Sequence, residues 1–226
     1  HTRCSRDWSS DVCSSDLFAP ISMVAAGGQV FVVHPSVPVR SVKELIALAR
    51  AQPGKLTFGS GGKGTPAHVA GEVLKAATGI QIIDVPYKGT IQSVTDLVAG
   101  QIDMVLSDMV PAVPQIRAGR LRALGVSSDQ RSQALPDVPT LAESGVNITI
   151  PQTWWAVLMP KATPPVIINR LNGELAKILK QRDVLERYAS LGIFAVHTTP
   201  EKVLEQIRTE SPQIGKVLKS AGVEPE

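Results

Sequence analysis

The 226-residue chain is poor in the residues on which several classes of protein depend. It has only two cysteines, both within residues 1–17, so the rest of the sequence holds no disulfide framework and no cysteine metal ligand. Aromatic residues make up 4% of the sequence, and the 23 lysines and arginines are spread along it without forming a basic stripe. We therefore expect no nucleic-acid partner, and we interpret the net charge of +3 as a solvated surface.

Long apolar runs and catalytic motifs are missing as well. No apolar run reaches 18 residues, so the sequence predicts no membrane-spanning segment. It contains no Gly-x-Ser-x-Gly elbow and no His-Glu-x-x-His pair, and its four histidines are scattered. These absences favour a protein without catalysis, without a metal and without another cofactor.

Residues 1–17 differ in kind from the rest of the chain. They are rich in serine, contain Cys4 and Cys13, and show no apolar periodicity. We interpret them as a non-native, disordered leader that resembles translated adapter sequence. The alternative is a native disordered tail with a Cys4–Cys13 disulfide or a two-ligand metal clip.

From Phe18 onward, apolar runs typical of strands alternate with segments of helical periodicity. This alternation predicts an α/β fold with a mainly parallel sheet. The predicted strands are Val30–Val33, Leu56–Phe58, Ile80–Val85, Ile102–Leu106, Leu121–Val126 and Trp154–Leu158.

The last third is dominated by helical patterns. A long helix is predicted from Pro164–Pro165 to about Gln181, followed by a short one and then by two separate helices near Glu201–Arg208 and Gln213–Ala221. Too few strands remain for a complete sheet. We expect these helices to pack on strands from elsewhere in the chain.

The segment from Lys55 to Gly79 is the most informative part of the sequence. It reads as a short strand, a loop with four glycines and a helix, for which Thr65 is the predicted N-cap, Pro66 the first residue and Gly79 the stop. Glycines let a ligand approach the backbone, and the first-turn amides of a helix favour an anion. The sequence therefore predicts an anion site suited to a carboxylate.

Two other interpretations of this loop stay open. Gly59-Ser-Gly-Gly-Lys-Gly64 imitates a dinucleotide fingerprint with Asp84 as its acidic partner, although the predicted helix begins only after Gly64. A nucleotide- or phosphate-dependent α/β enzyme is thus the alternative function. The loop is otherwise a glycine-rich turn that binds nothing.

Two further loops are predicted to meet the glycine loop. Val85–Gly89 and Ser107–Asp108 each follow a predicted strand, and the carboxyl ends of neighbouring parallel strands converge at one edge of a sheet. Taken singly, Lys88 is typical of a solvated turn and Asp108 of a helix N-cap.

Six ordered stretches from Phe18 onward resemble the solute-binding proteins of tripartite tricarboxylate transporters, the Bug family. The resembling stretches are Val33-His-Pro-Ser-Val-Pro with Ser41-Val-Lys-Glu-Leu, Phe58-Gly-Ser-Gly-Gly-Lys-Gly-Thr with His68 and Glu72, Val85-Pro-Tyr-Lys-Gly, Ala118-Gly-Arg-Leu-Arg-Ala-Leu-Gly-Val, Leu135-Pro-Asp-Val-Pro-Thr, and Trp154-Trp-Ala-Val-Leu-Met-Pro-Lys-Ala-Thr-Pro.

The resemblance implies a type II periplasmic binding protein-like fold with two α/β lobes around a small carboxylate-bearing organic acid, which is delivered to membrane permease subunits. Residues 18–29 would belong to the first lobe and its crossover, 30–152 would form the second lobe, and 153–226 would return to the first lobe. By this comparison the first lobe is incomplete and a signal peptide is expected upstream. The protein itself is expected in the periplasm, without spanning the membrane.

The resemblance also implies the ligand contacts. By the resemblance the solute would be held by Ser60, Gly61, Gly64 and Thr65 of the glycine loop, with Asp108 on a neighbouring loop. We also expect Lys88 to take part, because its loop is predicted to meet the glycine loop. The identity of the acid is not fixed by this chemistry, because dicarboxylates, tricarboxylates, acidic amino acids and aromatic acids share the same anchoring group.

Overall fold

The computed structural model describes residues 17–146, 148 and 150–220 and has an α/β fold. The expected leader lies outside the described residues except for Leu17. The elements are β1 (Phe18–Gly27), β2 (Gln29–Val33), α1 (Val42–Ala51), β3 (Thr57–Ser60), α2 (Pro66–Thr78), β4 (Ile83–Pro86), α3 (Thr90–Val98), β5 (Met104–Asp108), α4 (Met109–Arg117), β6 (Arg122–Val126), β7 (Thr153–Pro160), α5 (Pro165–Ile178), α6 (Arg182–Ser190), β8 (Phe194–Ala195) and α7 (Pro200–Ser220).

The chain divides into two compact units. Among the described residues, unit 1 comprises 17–26, Trp154–Tyr188 and 194–220, and unit 2 comprises Gly27–Thr153 and Ala189–Ile193. Unit 2 therefore begins before the expected position 30 and also contains Ala189–Ile193, which the sequence analysis assigns to the first lobe.

Unit 2 contains a five-stranded sheet in the order β4-β3-β5-β2-β6. Strand β3 is parallel to β4 and β5, whereas β2 is antiparallel to β5 and β6, so four strands share one direction and only β2 is reversed. Strands that run in the same direction need a crossover, which α2, α3 and α4 supply between β3, β4, β5 and β6, while β2 follows β1 after a single residue. The sheet is thus mainly parallel in strand direction. Because the reversed strand β2 lies between β5 and β6, half of the strand pairings are nevertheless antiparallel.

Helices cover both faces of this sheet. The first core lies between the sheet and helices α1 and α2, where Phe58 packs against Gly71 of α2, and the second core lies between the sheet and helices α3 and α4. Both predicted ends of α2 are present, since Pro66 begins it and Gly79 ends it with φ +69°. Because apolar side chains are buried on both faces, the central strands β2 and β5 are apolar over most of their length.

Unit 1 contains a three-stranded sheet in the order β7-β1-β8. The expectation of a mainly parallel sheet is wrong for the pairing of β1 with β8, which is antiparallel. Residues Phe18–Gly27, for which no strand was predicted, supply the central strand. On α5, Asn172 donates its side-chain amide to the carbonyls of Ile21 (2.7 Å) and Thr198 (2.8 Å).

The two helices predicted at the C-terminal end are one helix. Helix α7 runs from Pro200 to Ser220 with Pro212 inside it. A proline removes one helical hydrogen bond, which favours a break, but the continuous helix keeps the apolar stripe that includes Val203 and Leu218 buried. No helix among the described residues combines the length and the apolar character needed to cross a membrane.

Candidate functional site

The candidate site lies at one edge of the sheet of unit 2. Strands β4, β3 and β5 are parallel neighbours, so the loops that follow them leave the same edge, as the sequence predicts. The amide of Tyr87, after β4, donates to the carbonyl of Ser60 at the end of β3 (2.9 Å). The reversed strand β2 begins at this edge, where Gln29 pairs with Asp108.

The loop between β3 and α2 is shaped by glycine. Gly62 has φ +106°, and a Cβ atom there would lie 3.2 Å from the Tyr87 carbonyl oxygen. Gly64 has φ +75°, and its amide donates to Nδ1 of the buried His68 (3.2 Å). His68 therefore has the structural role of holding the loop, and Gly61 lies in the same loop with a Cβ position 3.3 Å from the Thr65 side chain.

The prediction that the Thr65 side chain caps α2 is wrong. Thr65 occupies the N-cap position, but its side chain makes no capping hydrogen bond. Its hydroxyl instead donates to the carbonyl of Gly62 (2.7 Å), because the tight turn brings that carbonyl within reach. The Thr65 carbonyl accepts the first helical bond, from Val69 (3.0 Å).

The start of α2 leaves backbone amides without an intrahelical acceptor, and the hydroxyl of Ser60, on the strand before it, has no hydrogen-bond partner. The amides of Ala67 and His68 are in the first helical turn, where no intrahelical acceptor exists, and Pro66 has no amide proton. The Ser60 hydroxyl is fully buried and has no hydrogen-bond partner. Ser60 follows Phe58 by two residues and so lies on the sheet face that α2 covers.

The other two expected ligand residues lie at the same edge with different environments. Lys88 is exposed, and its backbone amide donates to the side-chain oxygen of Gln92 (3.2 Å). Asp108 stands at the N-cap position of α4 without capping it, because its carboxylate accepts from the hydroxyl of Thr153 (2.9 Å).

Tyr87 has an altered acidity. Burial raises its pKa, and a hydrogen bond to Asp96 together with the charge of that carboxylate raises the pKa further. The phenol therefore stays protonated at neutral pH, and it packs against the second core.

Two residues at this edge were not predicted from the sequence. Gln29 is 1% exposed, and its side-chain oxygen is buried without a hydrogen-bond partner. Thr153 holds Asp108. Gln29 could have been noticed in the sequence, because it is a glutamine that directly precedes an apolar strand. Thr153 could not, since its contact joins positions 45 residues apart.

The geometry departs from a dinucleotide site. Helix α2 begins after Gly64, and Asp84 lies within β4, as the second of its four residues. Among residues 17–146, 148 and 150–220, no group of three or more histidine, cysteine, aspartate or glutamate side chains is arranged to hold a metal ion.

Curated relatives match most of the chain. It is 37% identical over 202 residues to the UPF0065 protein in the tcbD-tcbE intergenic region of Pseudomonas sp. strain P51, a match covering 89% of this chain and 60% of the relative. It is 35% identical to Protein BugT of Bordetella pertussis strain Tohama I, covering 90% of this chain and 62% of BugT. The chain thus spans about three fifths of the length of these relatives.

Solved structures agree with these matches. R. palustris Rpa4515 with adipate superposes with a TM-score of 0.89 at 30% identity, covering 93% of this chain and 70% of that one. The periplasmic binding protein BugD superposes with a TM-score of 0.86 at 29% identity, covering 92% and 71%. The model of the family described as "Tripartite tricarboxylate transporter family receptor" matches residues 11–223, and the chain belongs to this family of receptors.

Proposed function

We propose that this chain is part of a periplasmic solute-binding protein that captures a small organic acid by one carboxylate and delivers it to the membrane permease subunits of a tripartite tricarboxylate-type transporter. The observation that carries the proposal is the fully buried Ser60 hydroxyl without a partner, on the sheet face that α2 covers. A buried polar group left unpaired costs about 1–3 kcal/mol, so an acceptor from outside the chain is its natural complement.

A carboxylate suits these donors better than a polyphosphate does. The Ser60 hydroxyl and the amides of Ala67 and His68 are neutral, and together they match the few acceptor positions of one carboxylate group. Gly61, Gly64 and Thr65 would shape the wall of the site, with Lys88 adding positive charge at its rim. Asp108 would contribute through another part of the ligand, because two carboxylates repel each other.

Two relatives support this proposal. Rpa4515 has adipate, a dicarboxylic acid, in its structure, and BugD is a periplasmic binding protein. Both align with more than nine tenths of this chain. The family description supplies the transporter as the partner.

Titration calorimetry of Ser60→Ala against a panel of mono- and dicarboxylates tests the proposal. We expect the unsubstituted chain to bind at least one acid, and Ser60→Ala to weaken that binding by about tenfold or more, because a hydrogen bond to a charged group contributes about 1.5–3 kcal/mol. Ser93→Ala is the matched control, since Ser93 is also fully buried but donates to the Thr90 carbonyl (2.8 Å) on α3.

The same titrations include NAD and ATP. Binding of a nucleotide without binding of any acid would favour the alternative, a nucleotide- or phosphate-dependent enzyme. An acid affinity that Ser60→Ala leaves unchanged would contradict the carboxylate site at this loop.

A further inference from the structure

Gln29 is the second residue at this edge with a buried side-chain atom that has no hydrogen-bond partner among the described residues. Its backbone is fully engaged, because its amide donates to the Ser127 hydroxyl (2.8 Å) and its carbonyl accepts from the Ser127 amide (2.8 Å). The backbone is therefore fixed on both sides. Its side-chain oxygen Oε1 is nevertheless buried and accepts no hydrogen bond.

Gln29 lies on the same face of the sheet as Ser60. It precedes Phe31 of the first core by two residues, just as Ser60 follows Phe58 of that core by two. Strand β5 separates them: Gly59 pairs with Val105, and Gln29 pairs with Asp108. Two strand spacings and two residues place the Cα atoms of Ser60 and Gln29 about 12 Å apart.

The two ends of this face have opposite hydrogen-bonding character. At the β3 end the unpaired groups are donors, namely the Ser60 hydroxyl and the first-turn amides of α2. At the β2 end the unpaired atom is an acceptor, the side-chain oxygen of Gln29, and its partner residue in the sheet, Asp108, is a second acceptor that already accepts from Thr153. A carboxylate fits the first end, and a hydrogen-bond donor fits the second.

We propose that Gln29, together with Asp108, determines specificity by accepting a hydrogen bond from a hydroxyl or ammonium group at the far end of the bound acid. This inference rests on the proposed function. Because side chains stand roughly perpendicular to a sheet, the side chains of Ser60 and Gln29 are about as far apart as their Cα atoms. One hydrogen bond of about 3 Å at each end then leaves about 6 Å between the two polar groups of the ligand, the length of an acid with about six carbons. The preferred solute is then a hydroxy or amino acid, rather than a plain monocarboxylate or a dicarboxylate.

Four six-carbon acids that differ only at the far end test this by calorimetry: hexanoate, 6-hydroxyhexanoate, 6-aminohexanoate and adipate. We expect the hydroxy or the amino acid to bind about tenfold tighter than hexanoate, the effect of one hydrogen bond to a buried acceptor. Adipate at neutral pH should bind more weakly than that acid, since its second carboxylate has no proton to donate. The tighter of the two donor-bearing acids identifies hydroxyl or ammonium as the recognised group.

Variants of Gln29 locate the effect. Gln29→Met keeps the length of the side chain and removes the acceptor, so it should abolish the preference of the donor-bearing acids over hexanoate. Gln29→Glu keeps the shape and adds charge, so it should shift preference toward 6-aminohexanoate over 6-hydroxyhexanoate. Melting temperatures check that the variants fold. If the Met variant is unfolded, the Glu variant alone tests the role of Gln29.

The outcomes separate this inference from the proposed function. Equal affinities for all four acids, tightest binding of adipate, or a preference that survives Gln29→Met would overturn the role of Gln29 and leave the carboxylate site intact. If hexanoate does not bind, or if Ser60→Ala does not weaken its binding, the proposed function fails and this inference fails with it.

Discussion

Unit 2 buries apolar side chains on both faces of its sheet, whereas helices α5 and α6 of unit 1 have no buried residue. Among the described residues, nine of the eleven exposed large apolar side chains belong to unit 1. The nine are Leu17, Phe18, Leu158, Val166, Ile167, Leu171, Ile178, Leu185 and Phe194.

The buried polar atoms show the reverse distribution. The four side-chain atoms that are buried without a hydrogen-bond partner belong to Gln29, Ser60, Asp84 and Gln115, all within the described part of unit 2. Unit 2 thus has a complete apolar core and unpaired polar groups, which a small polar ligand can satisfy. Unit 1 has an apolar surface without a cover and is expected to be the less stable of the two.

Truncating one leucine in each unit is the strongest test of this comparison. Leu74 on α2 is fully buried and Leu171 on α5 is 37% exposed. Leu74→Ala should lower the free energy of unfolding of unit 2 by about 2–5 kcal/mol, because it leaves a cavity in the first core. Leu171→Ala should cost less than about 1 kcal/mol in unit 1.

Hydrogen exchange of the α2 and α5 amides measures the two effects separately. Equal costs for the two leucines would contradict the difference in packing. A larger cost at Leu171 would show that α5 is covered in solution.

A glycine in the middle of a helix offers a second matched pair. A Cβ atom at Gly71 of α2 would lie 2.6 Å from a ring carbon of Phe58, which is itself 2% exposed, whereas a Cβ atom at Gly173 of α5 would meet nothing within 4 Å. Gly71→Ala should destabilise by about 1–3 kcal/mol through overpacking. Gly173→Ala should stabilise by up to about 1 kcal/mol, since alanine is the better helix former.

Thermal and urea unfolding of the two alanine variants provides the readout. The signs are the decisive result, because a packed helix and an uncovered one respond in opposite directions. Two shifts of the same sign would contradict the comparison.

Removal of the unpaired Ser60 hydroxyl is the comparison with the smallest expected change in stability. Without ligand, Ser60→Ala should raise the stability by about 1 kcal/mol, because it removes a buried group that has no partner. Ser93→Ala should lower the stability by about the same amount, because it breaks the bond to Thr90. Urea unfolding at neutral pH measures both, and destabilisation by Ser60→Ala would show that its hydroxyl has a partner in the free protein.

Much of unit 2 can be predicted from sequence patterns. The strand–loop–helix segment from Thr57 to Gly79 was predicted with its helix ends, because proline, glycine and apolar spacing act locally. The shared edge of three loops was predicted from the rule that neighbouring parallel strands end together. Strand β1 was missed, since it comes directly after residues 1–17 and pairs with strands more than 100 residues away.

The capping bond predicted for Thr65 was also wrong, because the folded geometry of the loop, and not the local pattern, decides the partner of its hydroxyl. The sequence indicates the N-cap position correctly, but the hydroxyl donates to the carbonyl that the turn at Gly62 brings close. Likewise, two separate helices were predicted on the two sides of Pro212, but they form the single helix α7, whose apolar stripe is buried.

By itself, then, the sequence determined the α/β class, the family and both ends of α2, because local backbone chemistry and the ordered motifs carry that information. Only the tertiary structure decided that Ser60 and Gln29 are buried on the same face of the sheet. Ser60 lies at the end of β3, and Gln29 pairs with Asp108 of β5. Strand order and the reversal of β2 bring residues 31 positions apart to the same edge, and no local pattern in the sequence encodes that placement.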